Sequence, residues 1–158
     1  MSTTKSNAWI IPLQSDFLVA VSDVEMVEYL TGPRLIHVPL TPYYCNNVIP
    51  WREGMIPVFN LNPLFALPSM HNLHHFGVLA YQARPKTPLQ HIAVLLSGSP
   101  VRISVDDEQI GEVPEEFSGP FADLVLSCFE YKDLPVPILN IPYLASQEFG
   151  SAIVDVVA

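Results

Sequence analysis

Sixteen prolines are spread through this 158-residue chain. Proline has a fixed φ and no N–H, so it is excluded from helix interiors and from strand positions that must donate to a ladder. Long helices are therefore not expected, and many short elements joined by turns are. The length fits one domain with room for two small lobes, and suffices to bury a core without disulfide or metal staples. Hydrophobic residues make up 49% and charged residues 15%, the balance of an ordered chain.

The formal net charge is −9, and the seven basic residues, Lys5, Arg34, Arg52, Arg84, Lys86, Arg102 and Lys132, are scattered. Nucleic-acid binding needs clustered Lys and Arg, so it is excluded, and anionic membrane surfaces are disfavoured for the same reason. Mean hydropathy is +0.30, yet the longest apolar runs are pieces such as "HIAVLL", far short of a membrane span. The opening "MSTTKSNAW" has no apolar segment of the signal-peptide kind. A cytoplasmic protein is expected, with Cys45 and Cys128 as free thiols.

Residues 1–7 are small and polar and read as a disordered tail. Strands are expected at "AWIIPL" (8–13), "DFLVAVS" (16–22), "LIHVPL", "CNNVIPW", "MIPVFNL", "FGVLAYQ" (76–82), "HIAVLLS" (91–97), "VRISV" (101–105), "ADLVLSCFEY" (122–131) and "VPILNI" (136–141). "DVEMVEYL" (23–30) fits either one helical turn or an irregular strand. Residues 62–75 read as a connector with a short helical turn, "PYLASQEF" as a short terminal helix, and 148–158 as a C-terminal extension to a domain of 8–147. Short strands at this spacing predict an all-β barrel or sandwich. "IPVFNLNPLF" (56–65) is echoed by "VPILNIPYLA" (136–145), with Pro57 and Pro137 80 residues apart and Asn60 and Asn140 in matching places. The echo fits two similar β lobes, each closing with a strand led by proline.

Little in the chain points to catalysis. His71, His74 and His75 in "HNLHH" have metal-ligand spacing, but no Cys, Asp or Glu stands within the segment, and a polar connector explains them. Cys128 sits mid-strand among apolar residues, where a thiol is inert, and Cys45 beside Tyr43 and Tyr44 is judged alike. The carboxylates of "DDE" (106–108) and "EE" (115–116) belong to a Gly- and Pro-containing stretch and read as a solvated loop. There is no P-loop, dinucleotide fingerprint, CxxC pair or nucleophile elbow.

One stretch fits none of these readings. "VIPWREGMIPVFNL" (48–61) is apolar, yet it holds Arg52 and Glu53 side by side between Pro50 and Pro57. With the two asparagines before it, it resembles the signature of CheW-like domains, the coupling proteins of bacterial chemosensory systems. Arg52, Pro57 and Leu61 anchor that signature without a gap. "FLVAVSDVEMVEYL", "HVPLTPYYCNN" and "VPILNIPYL" are similar to further segments of the family, in order, so the resemblance spans roughly residues 8–147. Asn47 stands where the family has its first glycine, Glu53 where a glycine follows the arginine, and Asn60 where an aspartate precedes the leucine.

The resemblance implies two SH3-like five-stranded β barrels, no enzyme activity and no cofactor. It implies an adaptor that links a CheA-type histidine kinase, through its regulatory domain, to the cytoplasmic tip of a chemoreceptor, placing the protein at membrane-associated receptor arrays. Asn47, Trp51, Arg52, Glu53 and Gly54 are then the expected partner-binding residues. Asn47 would keep a glycine-like turn, and Trp51 to Gly54 would be displayed on a turn while Ile49, Ile56 and Val58 go inward. Val27 and Tyr29 match a second family region tied to receptor docking. The competing readings are an adaptor of a type IV pilus or other signalling pathway, and a stand-alone ligand-binding barrel.

Overall fold

The computed structural model describes residues 5–70 and 73–157. The described chain is mostly strand. It runs β1 (Lys5–Gln14), β2 (Phe17–Ser22), β3 (Met26–Thr31), β4 (Ile36–His37), β5 (Asn47–Trp51), β6 (Gly54–Phe59), β7 (His75–Tyr81), β8 (Gln90–Leu96), β9 (Val101–Asp106), β10 (Val125–Tyr131) and β11 (Leu134–Leu139), then α1 (Ile141–Leu144) and α2 (Gln147–Val157). Short 3-10 turns occupy Asn62–Phe65 and parts of 107–124.

The strands form two sheets, β10-β11-β2-β1-β9 and β3-β7-β8-β6-β5-β4, each curled into a barrel-like unit. The first half of the chain supplies β1 to β6 and the second half β7 to β11, but the halves are not the barrels. After β2 the chain leaves the first barrel and β3 joins β7 at the edge of the second; after β8 it returns, and β9 joins β1 in the first. Hairpin β5–β6 then reaches β8 in parallel at Val58↔Ala93, and hairpin β10–β11 reaches β2 in parallel at Ile138↔Ala20. Each barrel is thus assembled from both halves. The first crossing is held at Asp23, whose carboxylate accepts from Arg102 Nε (2.9 Å), from the Arg102 terminal nitrogen (3.0 Å) and from Trp9 Nε1 (3.1 Å). The Arg102 hydrogen bonds hold the Asp23 carboxyl below its ordinary pKa.

The prolines are accommodated by register. Trp51 and Gly54 flank a two-residue turn, so they form a hydrogen-bonded pair. Alternation along the antiparallel ladder then makes Pro50–Met55 and Val48–Pro57 non-hydrogen-bonded pairs, so neither proline removes a bond from that hairpin. In the other hairpin, Tyr131–Leu134 closes the turn, and Pro135 and Pro137 fall on the equivalent silent positions. Pro57 and Pro137 are thus fourth in their strands, not first as expected, each one residue before the parallel contact begins.

Strands β1, β2, β7 and β8 are apolar on both faces because both faces are covered. Ile10 and Ala20 point into the first barrel with Phe129 and Val136, while Ile11, Leu13, Val19 and Val21 pack between the barrels against Leu79, Ile92, Val94 and Leu96. The second barrel is filled by Ile49, Trp51, Ile56, Val58, Phe76, Val78, Ala93 and Leu95. The expected C-terminal extension, 148–158, is not an appendage in its described part, and Ala158 lies outside the described residues. Phe149 and Ile153 of α2 are buried in the inter-barrel core, where Phe149 meets Tyr44 and Tyr143 edge-on.

One further expectation is corrected: Lys5, Ser6 and Asn7 are not frayed but paired with Asp106, Val105 and Ser104. Of the two alternatives for residues 23–30, the irregular strand is the one that forms, as β3, with a register shift between Met26 and Glu28. Residues 1–4 and His71 lie outside the described residues.

Candidate docking site

Side chains alternate along a strand, so Ile49 and Trp51 of β5 share one face and Pro50 takes the other. Ile49 is fully buried, and Trp51 follows it inward at 9% exposure. Trp51 is therefore not displayed as the sequence suggested. Its ring lies tilted against that of His91 of β8, 4.8 Å between centroids, and its Nε1 donates to Glu28 Oε2 at 3.0 Å. That bond joins β3 to β5, which lie far apart in the strand order of their sheet, and so helps to close the barrel.

The exposed part of the hairpin is Arg52, Glu53, Gly54 and Met55. Arg52 is in the left-handed region at φ 54°, a conformation that costs a non-glycine residue about 1 kcal/mol or more. Its guanidinium lies 4.2 Å from the centre of the Trp51 ring, a cation–π contact of about 0.5–1 kcal/mol at an exposed site. Among the described residues Arg52 forms no ion pair with Glu53; the ion pair present is Arg102–Asp23. The buried tryptophan thus acts as a platform that orients a free cation outward. Gly54 has ordinary backbone, and a Cβ there would meet nothing within 4 Å.

The other expected residues separate into two places. Val27 (37% exposed) and Tyr29 flank Glu28 on β3. The Tyr29 hydroxyl is hydrogen-bonded to His75 Nδ1, and the two rings stack. Glu28 contacts Trp51, so β3 and the Arg52 turn meet. Asn47 does not join them. It lies at the opposite end of β5, paired with Val58 and His37, with its amide donating to Asn46 Oδ1 at 2.8 Å. Its φ is not positive, so the glycine-like turn expected there does not form.

Glu28 and His91 were missed by sequence reasoning, and only the fold brings them to Trp51. A second omission had a visible signal. The 80-residue echo extends upstream, matching "YKD" (131–133) to "WRE" (51–53). Lys132 lies 5.3 Å from the Tyr131 ring centre, and Lys132 and Asp133 have φ of 50° and 66°. An aromatic residue carrying a cation at a tight turn therefore occurs on both barrels.

The thiols and histidines show no catalytic arrangement among the described residues. Cys128 is 3% exposed, and its Sγ donates to the Glu112 carbonyl at 3.4 Å; burial raises its pKa. Burial pushes the Cys45 thiol up to about 11. Iodoacetamide should therefore alkylate native Cys45 at pH 8 roughly 100-fold more slowly than a free thiol, with the rate climbing as pH approaches that value. Intact mass against time would check this, and rapid labelling at pH 8 would contradict the half-buried placement of the thiol. Among the described residues no group of three or more His, Cys, Asp or Glu could hold a metal, and no helix is long and apolar enough to cross a membrane.

The family model for the CheW-like domain matches residues 14–149. The chain belongs to the CheW-like domain family. No curated protein matches the sequence significantly. Among solved structures, the scaffolding protein TtCheW from Thermoanaerobacter tengcongensis is similar to this chain with a TM-score of 0.71 at 14% identity, covering 89% of this chain and 92% of that one. At that identity the likeness speaks for the fold, and it agrees with the two barrels described above. The matched segment contains the Arg52 hairpin, all of β3 and the start of α2 as far as Phe149.

Proposed function

We propose that this CheW-like chain is a non-enzymatic chemosensory adaptor that couples a CheA-type histidine kinase to the cytoplasmic tip of a chemoreceptor. The observation that carries the reading is the family match over residues 14–149. The geometry of the hairpin favours a contact there. Arg52 is held outward on a buried ring in a strained conformation, and an orientated arginine beside exposed apolar surface is well suited to a partner interface. Val27 and Tyr29 extend that surface onto β3 through Glu28. In this reading Arg52, Glu53, Gly54, Val27 and Tyr29 touch a partner, Trp51 supports them from beneath, and Asn47 belongs to a separate patch. Joining kinase and receptor by one rigid body raises the effective concentration of each for the other.

Calorimetric titration with the regulatory domain of a histidine kinase from the same genome tests the proposal. Micromolar or tighter binding is expected, weakened about tenfold or more by Arg52→Ala, the loss typical of a hot-spot residue. Gly54→Ala should leave the melting temperature unchanged, because space is open there, so any effect of it on binding reports contact. Binding that ignores both substitutions would move the kinase site off this hairpin. No binding to any cognate kinase would overturn the adaptor reading.

A further inference from the structure

The two barrels can be aligned residue by residue from their pairings. Val58 and Ile138 begin equivalent parallel contacts, which makes Ala93 equivalent to Ala20, and hence Leu95 to Ser22. The antiparallel partners Phe76↔Leu95 and Ala8↔Ser22 then correspond, as do Val78 and Ile10. In the second barrel Phe76 and Leu95 are buried and fill one end. In the first barrel the same two places hold Ala8 and Ser22. The side-chain volume of a benzyl and an isobutyl group is replaced by a methyl and a hydroxymethyl.

The space stays open. A cavity of about 410 Å³ opens at this end of the first barrel, floored by Ala8, Phe129 and Ile138, with Ser6, Ser127 and Asp107 toward the mouth. Packed interiors rarely tolerate such a void, so an open, shaped one at a barrel mouth suits a ligand. Ala8 and Phe129 are buried, while Ser6, Ser127 and Asp107 are exposed at the rim. The Ser22 hydroxyl donates to Glu25, at 2.9 Å, and an Asp106 oxygen accepts from the Glu108 amide, also at 2.9 Å. The Ser6 and Ser127 hydroxyls and the Asp107 carboxylate remain for an occupant. Asp106 and Asp107 give the mouth its negative charge, and Lys5 pairs in register with Asp106.

We propose that this cavity binds a small aryl-alkyl amine. The ring replaces the missing Phe76 equivalent on the floor of Ala8, Phe129 and Ile138. The ammonium remains at the acidic, hydroxyl-lined mouth. The site lies in the barrel that does not carry Arg52, so it stands whether or not the hairpin docks a kinase.

The test is an amide-correlation NMR titration of the ¹⁵N-labelled chain with 2-phenylethylamine, with phenylacetate and ethylamine in parallel. Saturable shifts in the millimolar range or tighter are expected at residues 6–8, 105–110 and 127–129 with phenylethylamine. Phenylacetate should bind at least about fivefold more weakly, from its reversed charge, and ethylamine, lacking the ring, should not saturate. Ala8→Phe with Ser22→Leu rebuilds the packing of the other barrel and should abolish the shifts. Ser127→Phe at the mouth should do the same if the double variant does not fold. The proposal is overturned if phenylethylamine gives no saturable shifts, if phenylacetate binds equally, or if the shifts survive in a folded variant with the cavity filled.

Discussion

Cutting this chain in the connector after the Asn62–Phe65 turn should yield two fragments that are each unfolded alone and that fold when mixed. The reason is topological. A fragment of residues 1–70 holds β1 and β2 of the first barrel without β9, β10 and β11, and β3, β5 and β6 of the second without β7 and β8. The remaining fragment has the complementary deficit. Neither could bury the inter-barrel core, since Ile11, Val19 and Val21 come from one and Leu79, Ile92, Val94 and Phe149 from the other. A polypeptide of about 70 residues with an incomplete core is not expected to be stable. Circular dichroism and amide-proton dispersion of each fragment and of the equimolar mixture would decide. A dispersed spectrum from either fragment alone would show that a barrel can close on strands of one half, contrary to the pairing described here.

Trp51→Ala should cost about 3–5 kcal/mol of stability, as expected for a buried aromatic truncated in a packed core. For a domain of this size that lowers Tm by roughly 6–20 °C. The indole fills the hairpin end of the second barrel beside Ile49 and Ile56, meets His91, and bonds Glu28. Removing it leaves a cavity and cuts the link between β3 and β5. Trp51→Phe keeps most of the packing, and its loss should be about 1–2 kcal/mol, because Glu28 is exposed and returns to water. Chemical denaturation of the three proteins checks the order. A loss under about 1 kcal/mol for Trp51→Ala would instead assign the ring to a partner's surface, as a hot-spot residue tuned for contact and not for folding.

The parts of this fold legible in the sequence are those governed by local chemistry. The apolar runs at β1, β2, β7 and β8 predict strands, the prolines exclude long helices, and the order of family-like segments predicts two barrels. What was not legible depends on pairing. No local periodicity reveals that β3 and β9 change barrels, because each looks the same wherever it docks. The candidate site failed in one instructive place. The two-residue period along "NVIPW" sends Trp51 inward once Ile49 is assigned to the core, yet the adjacent charges drew the whole turn outward. Arg52 was legible as an exposed cation, while Glu28, 23 residues before Trp51, became the indole's partner only through barrel closure. The "YKD" echo lies at the same 80-residue offset but shares no identical residue with "WRE", so residue identity alone does not reveal it.

The crossed strands have one further consequence. Two similar halves that each contribute strands to both barrels form the arrangement of a strand-swapped homodimer joined end to end into a single polypeptide. In a true homodimer every substitution appears twice, and symmetry keeps the two interiors alike. Once the copies share one chain, that restraint is lifted. One copy can keep phenylalanine and leucine while the other carries alanine and serine, and one turn can present arginine on tryptophan while the other presents lysine on tyrosine. The covalent link thus preserves the interlocked architecture and leaves its two surfaces free to specialise.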